Sequence, residues 1–540
     1  MTRLSLSFAA STLAIGTTLV AGPAAAKSRY VQPYIELGQV VTSDLTNDDT
    51  VTYTQVAVGI DAGVETRRTQ AQISYRYEHR FDWDDRIGDS DIHTGLARVN
   101  TIVTPGLNIE AGAMATRVRS DIRGAAPGNL AGNVANVAQL YSGYVGPTVS
   151  TREGPIDIGA AYRFGYTKVE VPTYRETFAQ PLDYYDQSTS HMARASAGFA
   201  ANTIAPFGVT LSGAWERENA GQLDQKYDGW YGRGDVVLPV SPTVALRAGA
   251  GYEKIEVTQR DALVDATGNP VTDGRGRFVT DPASPVRIAY NTDGLIYDAG
   301  VVWRPSPRLE LTANAGWRYG GETYFGGLHW AMASDMAVQV VVYDGIETFG
   351  RQLRDGLASL PTSFTTQFDP FGQQFSGCVY GGQPGATGST GGAGACLNDV
   401  FQSVSTASYR ARGVSAVWSV TRGRTRMGIG GGYANRKLNV PQRVNGATFI
   451  AVEDQSAYLQ GFWARDLSRD SAVNASVFGN WYNSGFAGSS DVWGYGANGT
   501  YTHRFGRLGT MASLGVYGFD TSVADTQWSA QALLGARYTF

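Results

Sequence analysis

The side chains able to do chemistry in this sequence are mostly arginines and carboxylates. Of 44 basic residues only 5 are lysine, so most basic positions offer the planar guanidinium fork that suits carboxylates and phosphates. Arg76, Arg98, Arg163, Arg194, Arg247, Arg318 and Arg426, with Glu78, Glu253 and Glu310, fall at alternate positions of runs whose other positions are apolar or small. Such a ladder could pass an anionic chain by weak binding at many sites, or its members could pair across neighbouring strands and stiffen a wide sheet. Both uses stay open at this stage. Catalytic patterns are missing. His79, His93, His191, His329 and His503 are scattered without HExxH spacing, and there is no G-x-S-x-G elbow. Gly428-Ile-Gly-Gly-Gly432 sits inside an alternating run, where glycine relieves crowding rather than cradling phosphate. No metal site, cofactor or enzymatic activity is expected.

The elements that would carry this ladder are strands. The chain has 540 residues with 67 Gly, 11% aromatics and 17% charged residues. Glycine and aromatics are poor helix formers, which argues against a helical bundle or a doubly wound fold. Glycine has no triplet period, so collagen is excluded. The formal net charge of −4 excludes a strongly basic nucleic-acid binder, and no nucleic-acid partner is expected. In the run 309–319, Leu309, Leu311, Ala313, Ala315, Trp317 and Tyr319 alternate with Glu310, Thr312, Asn314, Gly316 and Arg318. This period of two marks a sheet with one apolar and one polar face. Marking such runs from 30–42 to 528–540 gives 22 strands, long enough to span a bilayer.

The connections add independent information. After even-numbered runs they are tight, as at Thr104-Pro105, Ser241-Pro242 and Gly506-Arg507; after most odd-numbered runs they are long and polar. Short turns on one side and long loops on the other is the layout of an outer-membrane barrel. The N-terminus reads as a cleaved secretory signal over 1–26, with Arg3, an apolar stretch and Ala24-Ala25-Ala26. The fold class predicted is therefore all-β: a single antiparallel transmembrane barrel over 27–540, in the outer membrane of a Gram-negative cell, with both termini periplasmic. Leu534, Ala536, Tyr538 and Phe540 form an apolar face ending on an aromatic, similar to the β-signal read by the barrel-assembly machinery. Tyr75, Tyr77, Phe81, Trp83, Trp317, Tyr319, Trp481, Tyr482, Trp493 and Tyr495 are expected in aromatic girdles, with sugar-stacking in the lumen as the alternative.

Twenty-two strands about 4.8 Å apart, tilted by about 40°, enclose a backbone diameter of about 45 Å. A bore that wide is normally plugged. The first run starts within a few residues of the cleavage site, so no N-terminal plug is expected and closure falls to loops or a partner. The long extracellular loops are 258–289 and 346–405. The second opens with a possible short helix (348–357) and contains Cys378 and Cys396. In an exported loop these two are expected to form a disulfide, worth about 3 kcal/mol by chain entropy, as a simple staple or as part of a gate.

The stretch Val302-Trp-Arg-Pro-Ser-Pro-Arg-Leu-Glu-Leu311, followed by Gly316-Trp-Arg-Tyr-Gly-Gly321, resembles the outer-membrane barrel family associated with PEP-CTERM/exosortase and exopolysaccharide loci. Tyr343-Asp344-Gly345 before a long loop with paired cysteines is also similar. The resemblance is good over about 290–420. It implies a role in envelope polysaccharide export or surface-protein display. The partners expected are outer-membrane lipid and lipopolysaccharide, the barrel-assembly machinery and periplasmic polysaccharide-export components. The expected function is a pore exporting such a polysaccharide or passing a polar or anionic solute. The alternatives are a general solute porin and a structural or surface-interaction barrel with an occluded lumen.

Overall fold

The computed structural model describes residues 28–83, 90–119, 137–171, 183, 185–368, 370–371, 375–381, 393–401, 404, 406–440, 443–444, 447–448, 452–485, 491–521 and 524–540. The expected signal segment 1–26 lies outside the described residues.

Alternation and β-branched or aromatic content resolve into 22 long strands. The first eight are β1 Ser28–Asp44, β2 Asp49–Glu65, β3 Thr69–Asp82, β4 Ser90–Thr104, β5 Leu107–Arg119, β6 Val137–Glu153, β7 Ile156–Glu170 and β8 Gln187–Phe199. Then come β9 Gly208–Ala220, β10 Lys226–Pro239, β11 Val244–Gln259, β12 Arg287–Ser306, β13 Leu309–Arg318, β14 Gly321–Ala333 and β15 Met336–Glu347. The last seven are β16 Tyr409–Arg422, β17 Thr425–Leu438, β18 Glu453–Asp466, β19 Ser471–Asn483, β20 Val492–Phe505, β21 Leu508–Thr521 and β22 Ala524–Thr539. Each pairs antiparallel with its sequence neighbours. The ring closes where β1 meets β22, with Tyr34 opposite Thr539 and Asp44 opposite Ser529. Closure leaves no sheet edge unpaired, which removes the usual hazard of exposed strand edges.

All 22 runs marked in the sequence become ring strands. Connections after even-numbered strands span at most 200–207, and those after odd-numbered strands reach 260–286 and 348–408. The two long loops are therefore slightly displaced from the expected 258–289 and 346–405. Some odd-side connections are tight as well. Tyr319 and Gly320 both take positive φ, at 57° and 73°, and form a two-residue hairpin between β13 and β14, the backbone such turns require.

The two faces of the ring separate as the alternation predicts. Outward positions are apolar and unpacked by protein: Leu295 is 73% exposed, Leu514 and Leu534 each 70%. Trp215 and Trp230 face each other outside the ring on the long-loop side. There Tyr75 bonds His93 at 2.7 Å and Tyr162 bonds His191 at 2.8 Å. Trp303, Trp330, Phe505 and Tyr538 are exposed toward the short-turn side. Two girdle assignments need correcting. Tyr319 leaves the outward face at the hairpin and stacks under Arg318 and Arg410. Tyr482 points inward, buried, and donates to Asp454 at 3.0 Å, because its strand parity places Trp481 outside.

Candidate functional site: a segment across the lumen

The connection between β15 and β16 enters the ring. It begins with helix α1, Phe349–Ser359. Thr348 caps its first turn by accepting from the Arg351 N–H, and Pro361 follows its end; both are ordinary boundary signals. Phe349, Leu353 and Leu357 recur at four-residue spacing and so share one helix face. That face packs with Leu96, Met114, Leu140 and Tyr144 on the inner wall of β4–β6. The other face carries Arg351, Arg354 and Asp355. Arg351 and Arg354 both reach Glu216 on β9, and Arg354 bonds Asp355 at 2.9 Å. The Arg351 guanidinium lies 3.8 Å over the Tyr227 ring.

Beyond α1 the segment stays attached to the wall at spaced anchors. Gln72 on β3 clamps the Phe364 backbone, accepting from its N–H at 3.0 Å and donating to its carbonyl at 2.9 Å. Arg80 donates to the Phe371 carbonyl at 2.6 Å. The Phe371 ring packs with Val40, Tyr53, Tyr517 and Leu533 where β1, β2, β21 and β22 meet. The chain then pairs Phe375–Gly381 with Gly394–Cys396, and the Cys378–Cys396 disulfide joins these two strands. A Cβ on Gly430 would meet the two cysteine sulfurs at 2.5 and 2.6 Å, and one on Gly428 would meet the Tyr380 ring at 2.4 Å. Only glycine leaves room for this seat on β17. β6 and β17 are eleven strands apart in a ring of twenty-two, so the segment crosses the bore between opposite walls.

The arginines and carboxylates of the ladder read from the sequence all lie at inward positions, and the structure places them unequally. Arg98 fastens the helix end, donating to Ala358 and Leu360 carbonyls. Arg76 and Glu78 join Glu36 and Arg80 in a chain of ion pairs. Arg163 pairs with Glu110 at 2.6 Å, and Arg194 sits half-buried on β8 beside them. Arg247 shares Asp235 with Arg233, which also holds Asp298. Arg318 bonds Glu253. Arg426 and Glu310 lie near the short-turn rim, on Asp466 and Arg304. Among the described residues no cluster of His, Cys, Asp and Glu could hold a metal, and no helix is long and apolar enough to cross a membrane.

Three contributors belong to the site without a local pattern that marks them for it: the Gly428/Gly430 seat, the Gln72 clamp and Phe371. Only the glycine pattern carries a sequence signal, and by itself it reads as relief of crowding within a strand.

The other long loop, 260–286, packs on the β7–β8 and β9–β10 connections, with Arg277 on Asp186 and the Arg260 N–H bonded to the Leu223 carbonyl. Its backbone is held by Val271 N–H to the Leu263 carbonyl and Val279 N–H to the Val271 carbonyl, at 2.8 and 2.9 Å. Asp183 in the β7–β8 connection accepts from the Phe278 N–H at 2.9 Å and from Gln222. Burial pushes the Asp183 carboxyl up to about 7, against these hydrogen bonds, which pull it down.

No family model and no curated protein matches the chain. Solved structures similar to it include the ferric-catecholate import receptor Fiu of E. coli, at 10% identity and TM-score 0.43, covering 94% of this chain and 81% of that one. The siderophore receptor PiuA of Acinetobacter baumannii gives 8% identity and 0.42, covering 94% and 82%. OccK11 of Pseudomonas aeruginosa gives 8% and 0.29, covering 94% and 96%. The ring itself is established by its hydrogen-bond ladder, independently of these likenesses.

Proposed function

We propose that this chain is an outer-membrane channel whose bore is closed at rest by its own segment 348–408. It passes a polar or anionic solute, an envelope polysaccharide included, when that segment moves aside. The observation that carries the reading is the anchoring of one loop on opposite walls of a closed ring. The apolar outer face, the belts at its two ends and the short-turn/long-loop asymmetry support a membrane setting. Both termini then face the periplasm, and the exposed Leu534 and Tyr538 with Phe540 form the face offered to the assembly machinery. Kinship with the PEP-CTERM/exosortase-associated barrels is part of the same proposal and rests on the 302–321 motifs. So are lipopolysaccharide and periplasmic export components as partners. Ion pairing of most inward arginines favours a mainly structural use for them, with Arg98 bonded to the end of α1 and Arg163 and Arg194 beside the helix.

A second reading, a structural or surface-interaction barrel, is favoured by the same closure if the segment never leaves. Single-channel conductance of the refolded protein in a planar bilayer separates the two. Small or absent steps in the oxidised protein, growing on reduction or in the Cys378→Ser/Cys396→Ser variant, are expected of a gated channel. No conductance in any of these states would sink the channel reading and leave the occluded barrel.

A further inference from the structure

The short-turn rim carries its excess of positive charge on one side only. The connections around the ring at β16–β17, β18–β19 and β20–β21, then past the β22–β1 seam to β2–β3, are consecutive. They read Arg-Gly-Arg-Thr-Arg over 422–426, Arg-Asp-Leu-Ser-Arg-Asp over 465–470, Arg-Phe-Gly-Arg over 504–507 and Glu-Thr-Arg-Arg over 65–68. These four turns hold nine arginines, all exposed, against three carboxylates. With two flanking residues counted on each side, the six short connections on the remaining arc, from 104–107 round to 333–336, hold three arginines (Arg152, Arg304, Arg308) and four carboxylates (Glu153, Asp157, Glu310, Asp335), and the four turns keep the same count on that basis. Two pairs cross between neighbouring strands or turns without neutralising the arc: Arg426 with Asp466 at 3.8 Å, and Arg504 with Asp470 at 3.3 Å.

We infer that this arc is a docking surface for a folded protein with an acidic face, on the side that the channel reading makes periplasmic; the inference rests on that reading for its compartment. Three features of the arc select the partner. Lipid surrounds a barrel on every side, so a headgroup function would spread arginines round the whole rim. A polyanion threading the bore would be drawn by charge ringing the mouth, and half of this rim is neutral or acidic. The clusters instead repeat every two strands, about 12 Å, over an arc of about 50 Å, on tight turns that hold them in place. That is the footprint of one globular domain, and complementary charge of this kind speeds and orients encounter. The same strands carry the far anchors of the lumen segment, at Phe371 and the disulfide.

The test is photo-crosslinking in cells of the full chain carrying p-benzoylphenylalanine at Leu467, with Val240 on the neutral arc as control; both side chains are exposed. The expected result is a cross-link to an acidic protein from Leu467 and not from Val240. It should be lost in Arg422→Glu/Arg424→Glu/Arg469→Glu and weakened in the corresponding glutamine variant, with heat-modifiable migration confirming that each variant is folded. In parallel, the purified chain is offered polygalacturonate and vesicles of phosphatidylethanolamine with phosphatidylglycerol. Equal binding by wild type and glutamate variant is expected. A charge-dependent difference with either probe, in place of the cross-link, overturns the protein partner. So does equal cross-linking from both arcs, or none from either. Fractionation read beside it keeps the two failures apart. A chain missing from the outer membrane overturns the channel reading, whereas a chain present there without an arc-dependent cross-link overturns only the docking surface.

Discussion

Arg98 on β4 donates to the Leu360 carbonyl from Nη2 at 2.9 Å and from Nε at 3.1 Å, and to the Ala358 carbonyl at 3.1 Å. A buried cation thus closes the C-terminal end of α1, where the helix leaves carbonyls unpaired and its dipole is negative. The wall adds to the bonds the loop makes for itself, the Leu360 N–H to the Leu357 carbonyl and Ser359 Oγ to the Gly356 carbonyl at 2.7 Å.

Removing that cap frees the helix end. Arg98→Met should cost about 2 kcal/mol of docking energy, raising the undocked fraction of the segment about thirtyfold. Amide hydrogen exchange across 349–359 reads this directly. Unchanged protection there, in a folded barrel, would show that Arg98 does not hold the helix.

The glycine seat on β17 gives a paired comparison. A Cβ at Gly430 collides with the disulfide, whereas one at Gly479 meets nothing within 4 Å. Gly430→Ala should unseat the hairpin and increase channel openings several-fold, and Gly479→Ala should leave them unchanged. Identical conductance traces for the two variants would contradict the seat.

Asp183 makes the outer loop pH-sensitive, with a definite sign. Its carboxyl is raised by burial from 3.8 to about 7, so between those values the folded loop binds more protons than the unfolded one. Loop stability therefore falls as pH rises through this window and levels off above it. Protection of the Val271 and Val279 amides should drop with pH, by at most about tenfold per unit for one proton. Asp183→Asn should flatten the dependence. A rise in protection with pH would reverse the assignment.

The wall cluster on β10–β12 tests what buried pairs contribute. Arg233 bonds Asp235 at 2.6 Å and Asp298 at 2.8 Å, with these side chains at most 5% exposed. Arg233→Met takes from Asp298 its cation, a change that costs about 3–5 kcal/mol when the site stays dry. The midpoint for loss of the heat-resistant compact band in detergent should fall clearly. A midpoint within error of wild type would mean that water reaches the cluster.

Strand number, register of faces and the alternation of short and long connections were legible in the residues because each depends on local pattern. A period of two needs only neighbours in sequence, and Pro, Gly and Asn-rich breaks mark where a strand stops. The disulfide and the short helix were legible for the same reason, from two cysteines in one exported loop and from Thr348 ahead of apolar residues at helical spacing. What the inward side chains do was decided only by the tertiary structure. Alternation puts Arg98 and Arg163 on the same face with the same standing, yet one caps a helix 260 residues away in sequence and the other pairs with Glu110. Gly428 and Gly430 look like any strand glycines until ring closure brings residues 378–380 against them. Those relationships depend on which walls face each other across the bore, and a ring sets that by its strand count and closure, which no local pattern encodes.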